Sequence, residues 1–114
     1  MTAREVLDGI KASLAEITSW PWVAEYSKEQ GNCVLPPDAQ STREAVAVTR
    51  LYHQSADAVF IASAPSTVAR LTAAVEAVLD RADAWEAAYR QDGTGPGRIV
   101  ADDFRAAIEN ALNE

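Results

Sequence analysis

An α+β fold is predicted, on three observations. Apolar residues recur at helical spacing near the N-terminus, over a long central stretch and near the C-terminus. Between the first two lies a segment where apolar and polar residues alternate instead, the period of a half-buried strand. Proline and glycine punctuate the changes of period at Pro21, Gly31, Pro36-Pro37 and the run "QDGTGPGR". The predicted order is an N-terminal helix, a small antiparallel sheet of about three short strands, a short helix, a long helix and a C-terminal helix. With 114 residues, residues 1–114 are expected to form a single domain with a core of its own.

The first helix is read from "TAREVLDGIKASLAEIT". Thr2 and Glu5 have the spacing of a capping box, in which the N-cap hydroxyl and the carboxylate three residues on serve each other's free amides. Leu7, Ile10, Leu14 and Ile17 make one apolar stripe, which Val6 widens. Pro21 ends the helix, because the residue before a proline avoids helical angles.

In "WPWVAEYSKEQGNCVLPP" the period becomes two. Trp22, Ala24 and Tyr26 alternate with Val23 and Glu25, which predicts a strand. "KEQGN" is the turn, with Gly31-Asn32 tolerating positive φ. "CVL" returns as a second strand, stopped by Pro36-Pro37. "DAQSTRE" is a polar connector. The third strand is placed over Ala45–Tyr52, with Val46, Val48, Arg50 and Tyr52 on one side and Ala47, Thr49 and Leu51 on the other. A helix starting at Ser41 or Thr42 competes for the same residues.

Ser55 has the properties of an N-cap, with Asp57 favourable in the first turn. Val59, Phe60 and Ile61 give a short helix its buried side. Pro65 then opens a new helix. In it Val68, Leu71, Val75, Val78, Ala82, Trp85 and Tyr89 step by three and four without a break. This stripe is expected to be core or the seam of a homodimer. The glycine-rich loop follows. "IVADDFRAAIENALNE" closes the chain as a last helix, with Asp102 and Asp103 near its positive end.

Composition excludes several functions. The net charge of −7 opposes binding to nucleic acid, which relies on Lys and Arg meeting phosphates. It opposes anionic membrane surfaces in the same way. No run approaches a transmembrane length on this reading, and the N-terminus lacks the apolar stretch of a signal peptide. A lone cysteine, Cys33, allows no internal disulfide and suits the cytoplasm.

Catalytic patterns are sparse. One histidine, His53, and one cysteine leave no zinc-ligand spacing. A Cys33-His53 nucleophilic pair is less expected than a strand thiol and a strand-end histidine. "DGTGPGR" lacks the Lys and Ser/Thr of a phosphate-binding loop and follows no strand, although Arg98 beside glycine backbone could still face an anion. Asp102 and Asp103 are adjacent on a helix and do not face each other. Glu76, Asp80 and Asp83 read as a solvated face with Arg81 and Arg90. No enzyme, metal or cofactor is therefore expected. The binding candidates are Trp20 and Trp22, flanking Pro21 as an aromatic platform, together with Arg98; a packing role for the tryptophans competes.

The residues that carry a resemblance are Trp20 and Trp22 near a turn, the short β segment, "ADAVFIASAPSTVARLTAAVEAVL", the glycine-rich loop and "RAAIENAL". This order resembles small accessory proteins of bacteriophages and prophages, particularly those infecting actinobacteria. The match runs over Ala56 to Ala62, Pro65, Val68 and Leu71. It involves packing residues, so it brings no catalytic set. It implies a non-enzymatic protein that binds a host or phage protein in the host cytoplasm. The alternative is a protein that sequesters a signalling nucleotide against host defence, through Trp20, Trp22, Arg98 and the glycine loop.

Overall fold

The computed structural model describes residues 1–50, 54–93, 95 and 97–113. Its elements are α1 (Ala3–Glu16), β1 (Val23–Ser27), β2 (Gly31–Leu35), a 3-10 turn (Thr42–Glu44), β3 (Ala47–Thr49), α2 (Gln54–Asp92) and α3 (Gly97–Leu112). This is the α+β order that the sequence predicts. The chain divides into two compact units, one of Met1–Ser13 with Arg70–Glu114 and one of Leu14–Ala69.

The Leu14–Ala69 unit holds the sheet. The strands lie in the order β1-β2-β3, all antiparallel. Val23 pairs with Leu35 and Ser27 with Gly31. Gly31, which opens β2 directly after the three-residue turn, takes φ +79, a left-handed angle that glycine adopts without a steric penalty. The Gln30 amide is held by the Ser27 hydroxyl at 2.9 Å. Val34 in the central strand is fully buried and packs with Ala58 and Ala62 of α2, with Trp22, Ala24, Ala47 and Ile61 around them. The alternation read from the sequence holds in part: Trp22, Ala24 and Ala47 turn inward, but Tyr26, read onto the same side as Trp22 and Ala24, is 66% exposed, because β1 is an edge strand and the described packing against α2 ends at Ala24.

The competition over residues 41–52 is resolved by a single turn. Ser41 caps the 3-10 turn, its hydroxyl accepting from the Arg43 amide at 3.3 Å while the Glu44 carboxylate accepts from the Ser41 amide at 3.2 Å. The backbone then leaves the turn extended at Ala45, and β3 covers only Ala47–Thr49, so Ala45, Val46 and Arg50, which the sequence placed in the strand, lie outside it. The strand's predicted end at Tyr52, and His53, lie outside the described residues.

The break predicted at Pro65 is absent. α2 is one helix of 39 residues with Pro65 inside it, about 58 Å long at 1.5 Å per residue. Proline cannot donate to the Ile61 carbonyl and crowds it, at a cost of about 3 kcal/mol. One feature offsets this. Pro65 is itself buried, one turn beyond the buried Ala62, so a break would expose both. A separate short helix therefore does not exist; its residues are the start of α2.

The unbroken helix also changes a second expectation. By length and composition alone it reaches what a membrane crossing requires, with an 18-residue window of mean hydropathy 1.4, of which 22% is buried.

In the other unit Ala3 and Leu7 of α1 meet Leu79 of α2, with Ile10, Val75, Ile108 and Leu112 packed around them. Ala82 and Ala101 are fully buried. Thr2 caps α1 as predicted, its hydroxyl accepting from the Glu5 amide at 3.1 Å. An ionic belt ties the three helices. Arg4 of α1 reaches Asp80 at 3.0 Å and Asp83 at 2.9 Å on α2. Arg105 of α3 meets Asp83 at 2.6 Å, Glu86 at 2.8 Å and Asp102 at 2.9 Å. Lys11 meets Glu76 at 2.7 Å.

Candidate interaction surface

The two tryptophans are held rather than presented. Trp22 is half-buried against the Val34 cluster, and its indole N–H donates to the carbonyls of Thr18 at 3.1 Å and Ser19 at 3.0 Å. Trp20 is half-buried, and its N–H donates to the Leu14 carbonyl at 3.3 Å. Buried indoles need such an acceptor, and both have one within the chain. Arg98 belongs to the other compact unit. Its side chain is exposed and lies 3.5 Å from Asp102, one turn further on α3. The structure thus does not gather Trp20, Trp22 and Arg98 into one compact unit.

The long-helix stripe is divided. Val75 joins the Leu7–Leu79 core. Trp85 packs against Phe104 with ring centroids 5.4 Å apart. Tyr89 is half-exposed, and its ring lies against Gly97, where an added Cβ would come within 3.2 Å. Val68, Val78 and above all Leu71, 62% exposed, are on the surface of the single chain. Along α2 the fully inward positions are instead Ala58, Ala62, Pro65, Thr72, Leu79 and Ala82. The inward face is built of small residues, and the bulkier stripe beside it points partly to solvent.

Phe60 is 75% exposed and Val59 58% exposed, one turn into α2. The sequence assigned both to a buried side. Phe60 and Ile61 of α2, with Val48 and Thr49 of β3, line an open groove of about 340 Å³. Arg50 and Asp57 add one charge of each sign to its walls, and neither belongs to an ion pair among the described residues. A second cavity of about 240 Å³ lies in the other unit between Thr2, Arg4, Leu79, Asp83, Arg105 and Glu109. Its charged walls are largely spent on the ionic belt. The Arg105 guanidinium holds the Asp83 carboxyl below its ordinary range against the opposing effect of burial, and Arg4 adds to the lowering.

Cys33 is fully buried in β2. Burial raises its thiol pKa, with the Glu25 charge adding to the effect. The thiol sits 3.4 Å from the Glu25 carbonyl, to which it donates. That environment disfavours the thiolate a nucleophile requires. The histidine proposed to pair with it lies outside the described residues. Among the described residues, no group of three or more His, Cys, Asp or Glu is placed to hold a metal ion.

No family model matches the chain, and neither a curated protein nor a solved structure matches it.

Proposed function

We propose that this chain is a non-enzymatic accessory protein, of the bacteriophage or prophage kind, that binds a host or phage protein in the cytoplasm. The observation that carries the binding part is Phe60. A phenylalanine three-quarters in water costs free energy in an isolated chain, and exposed aromatic residues beside a groove are common anchors of protein contacts. Val59 beside it and the mixed charge of Arg50 and Asp57 give the apolar centre and polar rim such a contact uses. The phage part rests on the residue resemblance from Ala56 to Leu71, and the compartment on the lone reduced cysteine and the acidic charge. The test is affinity purification of the tagged protein from its natural host, with mass spectrometry of what copurifies, for the native chain and for Phe60→Ser. A protein retained by the first and lost by the second supports the proposal; none retained by either refutes it.

The nucleotide-sequestering reading draws on a specific observation, the groove volume of about 340 Å³, which is within the range of small-ligand sites. Phe60 would stack on a base and Arg50 would meet a phosphate, in place of Trp20, Trp22 and Arg98. A ligand that binds only the folded form raises Tm. A thermal-shift screen with cyclic and linear nucleotides separates the two readings.

A further inference from the structure

The free edge of β1 has a chemistry of its own. The Val34 carbonyl accepts from the Val46 amide at 2.8 Å, so Val34 directs its backbone toward β3. By the alternation of a strand, Gly31, Cys33 and Leu35 direct theirs toward β1. Their partners Ser27, Glu25 and Val23 close that ladder. The N–H and C=O groups of Ala24 and Tyr26 therefore point outward, where no further strand lies among the described residues. Among the described residues, no hydrogen bond from outside the ladder reaches them. The other edge, β3, is three residues long and offers only Val48 in this way.

We propose that the β1 edge is a strand-addition site for an extended segment of a partner protein that places a lysine or arginine opposite Glu25. The proposal rests on the protein-binding reading above and adds to it a second surface, on the sheet edge opposite the β3 strand that lines the Phe60 groove. Four backbone groups, on Ala24 and Tyr26, supply the pairing. Val23 and Tyr26, on opposite faces, are 54% and 66% exposed and would be covered by the added strand. Glu25 sets the partner's charge. It is exposed, in no ion pair among the described residues, and belongs to a chain of net charge −7. In an antiparallel addition bonded through Ala24 and Tyr26, Glu25 falls in a non-hydrogen-bonded pair, where opposed side chains are closest. A basic residue there is attracted, and an acidic one is repelled. The same geometry opposes a second copy of this chain. The antiparallel register that bonds all four groups of both copies sets Glu25 against Glu25.

The test is selection from a displayed library of random seven-residue peptides on the full chain, followed by titration of the strongest peptide. β-branched peptides with a central Lys or Arg are expected. Binding should protect the Ala24 and Tyr26 amides from hydrogen exchange. Tyr26→Pro removes one outward N–H without touching the β2 ladder and should weaken binding about tenfold relative to Tyr26→Ala, which keeps it. Circular dichroism of Tyr26→Pro establishes that it folds. Glu25→Lys should exchange the preferred central residue for Asp or Glu and does not depend on the proline variant. Peptides with no charge preference, equal binding to the alanine and proline variants, or no peptide at all would overturn the strand-addition site. A host protein still captured by both Tyr26→Pro and Glu25→Lys would do so too, while leaving the protein-binding reading intact.

Discussion

Phe60 and Val34 mark the two extremes of side-chain environment in the sheet unit, one 75% exposed and the other fully buried. Their substitution should separate binding from stability. Phe60→Ser is expected to change unfolding free energy by no more than about 0.5 kcal/mol, as surface changes do, and to abolish partner capture. Val34→Ala leaves a cavity among Ala58, Ala62 and Trp22 and should cost about 2 kcal/mol in denaturant unfolding. Cys33 gives a chemical readout. A thiol raised by burial should react with a disulfide reagent only after denaturant is added; rapid labelling of the native chain would contradict its place in β2. At this scale the sequence showed part of the strand pattern: Trp22 and Ala24 turn inward together, while Tyr26, read onto the same side, is exposed on the edge strand. It did not show Phe60. Val59, Phe60 and Ile61 are consecutive, a helix can bury only part of such a triplet, and composition cannot say which one turns in.

α2 is the element where local signals and packing disagree most. Proline is normally a stop, and the stripe after it normally a core face. Both inferences treat the helix alone. Packing on small residues at Ala58, Ala62, Pro65 and Thr72 keeps the helix continuous, and it turns Leu71 outward while Val75 turns in. Pro65→Ala should therefore raise Tm, because it restores one hydrogen bond and relieves the ring's contact with the preceding turn. A lowered Tm would show that the ring's own burial outweighs the lost bond. The two stripe residues should part company as well. Val75→Asp, in the core, should unfold its unit. Leu71→Asp should leave circular dichroism unchanged and convert a dimer, if the stripe serves as the proposed homodimer seam, to monomer by sedimentation. At α3 the limit is steric: Gly97 has φ +83 and the Tyr89 ring 3.2 Å from any added Cβ. Gly97→Ala should destabilise by more than about 1 kcal/mol. The first cap, by contrast, was legible, since Thr2 is fixed by chemistry only three residues long; Ser55, expected to cap the next helix, is instead the second residue of α2, which starts at Gln54.

Across the whole molecule the acidic charge is used unevenly. In the helical unit Asp80, Asp83, Glu86 and Asp102 surround Arg4 and Arg105. The sequence presented Asp80 and Asp83 as a solvated face, because Arg4 and Arg105 are far from them in the chain and only folding brings them together; Asp102, read as a helix-start charge, lies beyond the first turn of α3. Exposed pairs contribute little singly, but here two arginines share four carboxylates. The Asp83 carboxyl is depressed by its bond to Arg105 foremost. The unfolded chain thus binds this proton more readily than the folded one. The belt's contribution is complete above the ordinary value of 3.8 and is lost as pH falls below it, through the depressed native value. Tm of the native chain should fall between pH 4 and pH 2 more steeply than that of Asp83→Asn; parallel curves would remove Asp83 from the account. The sheet unit spends its charge differently: among the described residues, Arg50, Asp57 and Glu25 have no ion pairs and accompany exposed apolar residues. That contrast is why protein binding is the function we propose. The most direct test is native mass spectrometry of the chain purified from its natural host. The account predicts a complex with one other protein at fixed stoichiometry, lost in Phe60→Ser. A chain bearing only a small-molecule adduct, or no added mass at all, would contradict it.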